Sequence, residues 1–274
     1  MSSKPTTLPA YARSSINHCN LPAVILGGLT YQRHPVPIII DSMQVFHRQL
    51  FRSLDDIEDP SVRALYFHDY MSSSFLLDHK DRAGFDAASQ RVRRGKADYL
   101  RLLRGWMFDS DSVEGAVLKR WVESRFGLLT RNHRGPLRDF ESSEYRLYQA
   151  DFVRGLYNSN ALEAQLDLLY SYCQYELLRR YPKQSHWLLH RGVNRLEAYD
   201  VVQQLDANRI AVLLNNLNSF SAEQEHACAF GDTVLTAQVP LPKILFFYDL
   251  LPGVLKSERE FLVIGGVYEV TVNY

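Results

Sequence analysis

The spacing of apolar residues changes near residue 187, so neither a purely helical nor a purely stranded fold accommodates the whole chain. From about Phe46 to Arg180 they recur every three and four residues, which gathers them on one face of a helix. Tyr99, Leu102, Leu103, Trp106 and Met107 follow this period, as do Val117, Leu118, Trp121, Val122 and Phe126 within Gly115 to Phe126. It is best defined from Asn160 to Arg180, where Leu162, Leu166, Leu169, Tyr170, Cys173 and Leu177 form one apolar stripe. Asn160 stands as an N-cap with Glu163 three residues on, and Arg179, Arg180 and Pro182 mark the C-terminal end. Cys173 on that stripe reads as a small core hydrophobe.

From Trp187 onward, short β-branched and aromatic runs take over. They are Trp187 to Val193, Ile210 to Leu214, Thr233 to Val239, Ile244 to Phe247, Phe261 to Ile264 and Tyr268 to Val272. Pro240, Pro242, Pro252, Gly253, Gly265 and Gly266 read as turn residues between them, and only Ser221 to Phe230 reads as a helix. Helices first and strands second indicate an α+β protein with an antiparallel or mixed sheet, because a parallel sheet would need strands and helices in alternation. No flexible linker separates the halves, so residues 1–274 read as one compact unit, with a mainly helical region over 1–182 and a strand-rich region over 183–274.

Composition excludes several classes of function. Lys+Arg 31 balance Asp+Glu 31, so the chain lacks the overall positive charge that drives phosphate-backbone binding, and no nucleic-acid partner is expected. Cys19, Cys173 and Cys228 are odd in number and far apart, which argues against a disulfide framework or a zinc cluster and for reduced thiols in a cytosol. The N-terminal Met-Ser-Ser-Lys-Pro has no apolar signal core. The longest uncharged run, Ser14 to Gln32, contains Asn17, His18, Asn20 and Pro22, so it is a poor membrane span. A cytoplasmic, soluble protein is expected. Phosphate-binding glycine loops, H-E-x-x-H, C-x-x-C and G-x-S-x-G are all absent. His186 and His190 lie in a strand-like run, some 13 Å apart by strand rise, and no third ligand accompanies them, so no metal is expected in the site.

Three segments of the strand-rich half carry chemistry. In His190-Arg191-Gly192-Val193, an arginine on a strand offers a rigid fork of donors, and the adjacent glycine allows a ligand close to the backbone. In Asn218-Ser219-Phe220-Ser221, Ser221 suits the N-cap of the following helix, and the Ser219 hydroxyl can orient a carboxylate. In Glu258-Arg259-Glu260, strand alternation would place both carboxylates on one face, roughly 7 Å apart. Each alone is also what an ordinary surface strand or helix cap looks like.

Taken in order, Arg191, then Ser219-Phe220-Ser221, then Glu258-Arg259-Glu260 before a closing strand resembles the R-S-E arrangement of mono-ADP-ribosyltransferases. Leu21 to Gly27, Tyr31 to Pro37, Leu100 to Asp111, Trp121 to Leu129, Gly155 to Tyr175, Leu213 to Ser221, Val239 to Phe247 and Leu251 to Glu269 are similar to the NAD-dependent dinitrogenase reductase ADP-ribosyltransferases. The likeness is collinear over nearly the whole chain, apart from the first dozen residues and Leu54 to Ala97. It implies a core of two packed, mostly antiparallel sheets. It also implies NAD as substrate, and transfer of ADP-ribose to an arginine of dinitrogenase reductase, the nitrogenase iron protein. That transfer switches nitrogen fixation off reversibly. By position Glu260 matches the catalytic glutamate, and Glu258 the glutamate that orients the incoming guanidinium. Arg191 matches the arginine that holds the phosphate and ribose region of NAD, Gly192 would offer backbone groups to the carboxamide, and Ser219 would brace Glu260. Phe220 stands where Thr is common, as a stacking surface or as core packing. Phe246, Phe247 and Tyr248 are the other candidates to stack on nicotinamide. A PII-type signalling protein is implied as regulator. A catalytically idle relative that binds the iron protein or regulator, and a transferase with another protein target, remain the alternatives.

Charge is divided along the chain. Residues 91–138 hold 12 Lys/Arg and 5 Asp/Glu, a net of +7, whereas 197–274 hold 4 Lys/Arg and 10 Asp/Glu, a net of −6. An acidic half suits an arginine-bearing acceptor, and the basic helical region is either a docking surface for target and regulator or simply solvated helix faces.

Overall fold

The helical period is realised as ten α-helices among the described residues, which in the computed structural model of the chain are 6–78, 85–86, 91–92, 97–156, 161–255 and 259–273. In order they are α1 Ala23–Leu26, α2 Leu29–Arg33, α3 Met43–Phe46, α4 Arg48–Asp55, α5 Pro60–Phe75, α6 Tyr99–Phe108, α7 Val113–Phe126, α8 Ser143–Gly155, α9 Ala161–Arg180 and α10 Gln224–Cys228. The strands are β1 Phe85–Asp86, β2 Arg91–Val92, β3 His186–Val193, β4 Asp200–Gln204, β5 Arg209–Ser221, β6 Thr233–Pro240, β7 Ile244–Phe247 and β8 Glu260–Asn273. None of these helices is long and apolar enough to cross a membrane.

Side chains fix the ends of the helices that matter most for the site. Asp98 accepts from the Leu100 amide at 2.9 Å at the start of α6, and Ser112 accepts from the Gly115 amide at 3.1 Å at the start of α7. Both satisfy amides that the first turn leaves unpaired. The expected cap of α9, Asn160, lies outside the described residues. Helix α9 is buried on more than the single predicted stripe. Leu168, Tyr172, Gln165 and Glu176 are buried too, because the helix lies between two layers. On one side the Cys173 thiol and the Gln174 amide donate to the Ile244 carbonyl of β7, at 3.4 and 2.8 Å. On the other, Tyr172 stacks on Phe67 of α5 with ring centroids 4.0 Å apart. Cys173 is therefore a core residue, as its place on the stripe indicated.

The strand-rich half forms one connected sheet in the order β4-β5-β3-β6-β8-β7, with β5 also paired to β8, and every pairing is antiparallel. Strand β3 pairs with β6 over eight residues, from His186 opposite Pro240 to Val193 opposite Thr233. Strand β5 pairs with β8 from Arg209 opposite Thr271 to Ser221 opposite Glu260, with a shift of register between Leu214 and Leu217.

That shift corrects the sequence reading at Gly265-Gly266. The two short strands expected around these glycines are a single strand, β8. A Cβ at Gly265 would lie 1.7 Å from the Asn215 carbonyl oxygen, and Gly266 sits at φ +112°. The glycines mark a bulge where backbones approach, with the chain continuing through it. Ser221 is corrected as well. It is the last residue of β5 and accepts from the Glu223 amide at 3.1 Å, while the N-cap position of α10 is Glu223. Strand β4, polar and largely exposed at the sheet edge, lacks the apolar alternation that sequence reading relies on.

One apolar cluster runs from Leu8 to Val272 and includes residues of both halves. Lys243 is wholly buried within it. Its ammonium donates to the Gly265 carbonyl at 2.8 Å and lies 4.6 Å from the Tyr268 ring, and burial lowers its pKa to about 7.

Candidate active site

Antiparallel register brings the three sequence segments together. Ser221 faces Glu260 and Ser219 faces Leu262 across the β5–β8 ladder, so Ser219 and Glu260 share a face as diagonal neighbours. His190 of β3 pairs with Ser221, which sets Arg191 beside the same strand end. The result is a cavity of about 710 Å³ lined by His190, Arg191, Gly192, Ser219, Phe220, Ser221, His226, Ala227, Phe230 and Glu260 from the strand-rich half. Arg104, Trp106, Met107, Phe108, Asp109 and Ser110 line it from α6 and the loop after it.

Glu260 is the centre of the polar contacts. The Ser219 hydroxyl donates to its Oε1 at 2.5 Å, and the Trp106 indole N–H reaches Ser219 Oγ at 2.9 Å and Glu260 Oε1 at 3.2 Å. Burial raises the Glu260 pKa above the ordinary carboxylate range. The hydrogen bonds from Ser219 and Trp106, and the charges of Arg191 and His226, oppose that rise. Arg191 donates through Nη1 to the Ser219 carbonyl at 2.8 Å, while its Nε is buried without a partner. A buried guanidinium N–H with no partner beside a cavity is a donor available to a bound anion or carbonyl.

Gly192 is dictated by packing. A Cβ there would lie 2.0 Å from the Ala227 carbonyl oxygen, so helix α10 rests directly on the β3 backbone. Phe220 lines the cavity and is 3 % exposed. Phe246 and Phe247 are core residues of β7 and do not reach the cavity lining, and Tyr248 lies outside it as well. The aromatic residues at the cavity that sequence reasoning missed are Trp106, Phe108 and Phe230. Phe108 is 93 % exposed and Phe230 63 % exposed, an unusual setting for large apolar rings next to a pocket. Trp106 was read as one more core residue on the α6 face. The available signal was its indole N–H, which needs a partner when buried.

Glu258 lies outside the described residues. Its neighbour Arg259 has φ +50°, and β8 begins at Glu260. Arg259 is ion-paired with Glu223. Among the described residues, no group of three or more His, Cys, Asp or Glu side chains is arranged to hold a metal ion.

Several basic side chains of 91–138 are ion-paired, some within the stretch and others to Asp151 and Asp167 outside it. Arg101 pairs with Glu114 at 3.0 Å, Lys119 with Asp111 at 2.7 Å, Arg120 with Glu123 at 2.7 Å, Arg125 with Asp167 at 2.7 Å and Arg134 with Asp151 at 2.9 Å. The side chains of Arg91, Arg93, Arg94 and Lys96 lie outside the described residues.

No solved structure matches the chain. Among curated proteins, "NAD(+)--dinitrogen-reductase ADP-D-ribosyltransferase" of Rhodospirillum rubrum is 39% identical over 262 residues, covering 95% of each chain. The family model described as dinitrogenase reductase ADP-ribosyltransferase matches residues 16–272. With the cavity built on Arg191, Ser219 and Glu260 and a likeness that spans nearly its whole length, the chain belongs to the dinitrogenase reductase ADP-ribosyltransferase family.

Proposed function

We propose that this protein transfers ADP-ribose from NAD to an arginine of dinitrogenase reductase and so switches nitrogen fixation off reversibly. The observation that carries the reading is a carboxylate, Glu260, held by Ser219 and Trp106 at the wall of a 710 Å³ cavity that also presents Arg191. A cavity of that size suits a small-molecule substrate. Breaking the nicotinamide–ribose bond builds positive charge on the ribose, and a fixed carboxylate in a partly dry site stabilises that charge as it develops. Glu260 takes this role. Ser219 holds its orientation, and Arg191, with its buried Nε lacking a partner, takes the phosphate and ribose region of NAD. Backbone groups at Gly192 receive the carboxamide, and Phe220 closes the cavity wall beside it. Glu258 orients the acceptor guanidinium and helps it lose a proton, since a protonated arginine is a poor nucleophile. No metal enters these steps.

The bulge at Asn215 and Gly265 divides β5 and β8 into two arms, and we read the arms as two packed sheets around the cleft. Residues 1–182 would then serve target and regulator docking and residues 183–274 NAD binding, within one compact unit. A PII-type signalling protein is the proposed regulator, in the cytoplasm, with no nucleic-acid or membrane partner.

Purified protein with labelled NAD and dinitrogenase reductase tests the reading. Label should accumulate on an arginine of the target, and Glu260→Gln should lower the rate by more than about 10³-fold. Tight binding of the iron protein with no label would instead identify an idle relative, and label on other proteins only would identify another target. Glu258→Gln should lose arginine transfer while retaining some NAD hydrolysis; equal loss of both would remove the role given to Glu258.

A further inference from the structure

We propose that Trp106 is a positioning residue for the Glu260 carboxylate, so that the helical region completes a site otherwise carried by strands. The proposal rests on the reading of Glu260 as the catalytic carboxylate. Ser219 has one hydroxyl proton, and the 2.5 Å contact commits it to Glu260 Oε1. The Ser219 oxygen then accepts from the Trp106 indole at 2.9 Å, and the same N–H reaches Glu260 Oε1 at 3.2 Å. Arg191 acts on Glu260 through charge, while its Nη1 donates to the Ser219 carbonyl. Both donors act on Oε1, and in this proposal Oε2 is the oxygen offered to the substrate.

Trp106 is itself held firmly. It is 3 % exposed. The Lys119 ammonium lies 5.8 Å from its ring centroid and is tied to Asp111 at 2.7 Å. An indole fixed in this way restrains both the rotation of the carboxylate and the Ser219 hydroxyl that braces it. The charged or titratable groups that bear on Glu260 come from different elements, Arg191 from β3 and His226 from α10, with Ser219 and Trp106 as its hydrogen-bond donors. Of these Trp106 alone belongs to the helical region.

The test is Trp106→Phe in the full-length protein, which keeps a large ring and deletes the N–H. A hydrogen bond to a charged group predicts a fall in kcat of about 10- to 100-fold. KM for NAD should stay within about threefold, since binding in the ground state is not altered. Loss of a donor to the ionised form also moves the acid limb of the kcat profile to higher pH. An unchanged kcat and an unchanged acid limb would overturn the proposal. If Trp106→Phe does not fold, benzothienylalanine at position 106 keeps the bicyclic shape and replaces N–H by sulfur, and the same outcomes apply. An inactive wild-type protein would sink the transferase reading, and the role of Trp106 would then be judged by the indole ¹⁵N–H resonance. That resonance should follow the ionisation of Glu260 and lose this dependence in Glu260→Gln, and a resonance indifferent to Glu260 would overturn the proposal irrespective of activity.

Discussion

The helical and strand-rich regions bury charge in opposite ways. In the helical region buried ions are paired for structure. Arg63, 2 % exposed, grips Glu176, 0 % exposed, through contacts of 2.6 and 2.9 Å, and Arg180 adds a third at 2.6 Å. Lys119, Asp111 and His133 form a second such group, in which Lys119 and His133 are both held below their ordinary pKa, first by burial. In the strand-rich region the core is almost wholly apolar. Apart from Lys243, its partly buried charges are Asp200 and Glu269, which are ion-paired, and Arg191 and Glu260 at the cavity, where Glu260 is raised in pKa and Arg191 keeps a donor without a partner. The difference lies in how each region uses its polar groups: the helices use them to lock their packing, and the strands leave an Arg191 donor without a partner at the cavity.

The largest effect that can break this comparison is the removal of a structural ion. Glu176→Leu leaves Arg63 buried without its carboxylate and should destabilise the fold by about 3–5 kcal/mol, measured by urea unfolding. Activity per folded molecule should be unchanged, and a selective loss of NAD affinity would show that the helical ions are not purely structural. Next is Gly192→Ala, whose new Cβ meets the Ala227 carbonyl at 2.0 Å. The strand and α10 must separate, at about 1–3 kcal/mol by analogy with overpacked cores, with KM for NAD raised because both elements line the cavity. A variant with normal stability and normal KM would show that α10 is free to move.

A smaller effect sharpens the contrast through pH. Because the folded pKa of Glu260 is raised, its protonated form is favoured in the folded state, and stability is lost as pH rises through that pKa. Glu260→Gln should therefore have a higher Tm than wild type near pH 8 and the same Tm near pH 4, where both side chains are neutral. A lower Tm at pH 8 would contradict a site held at the expense of stability. The smallest effect is expected at the exposed start of β5. Arg209, half-exposed, pairs with Asp206 and Glu269, and Arg209→Ala should leave the urea-unfolding midpoint close to that of wild type.

Much of the site was legible in the sequence because its parts lie on short, regular strands. Arg191 falls within a run whose β character is plain from its apolar neighbours, Ser219 follows the Ile210 to Leu214 run, and Glu260 directly precedes another. Trp106 was not legible as a site residue, since its neighbours Leu102, Leu103 and Met107 give it the period of any core aromatic. Strand β4 was missed for the opposite reason: it is an edge strand with polar residues on both faces. Ser221 was misplaced because a serine at a strand end and a serine at a helix start look alike until the backbone direction is known.

By itself the sequence determined the α+β division, the places of the most regular helices and apolar strands, the core role of Cys173 and the candidate residues for the chemistry. These are local matters, settled by side-chain period and residue type. Only the tertiary structure decided that Gly265-Gly266 is a bulge inside one strand, that Ser219 and Glu260 meet diagonally across the β5–β8 register, and that an indole from α6 reaches them. Each of these depends on which backbone lies beside which, and the free energy that fixes such pairing comes from packing between segments far apart in the chain.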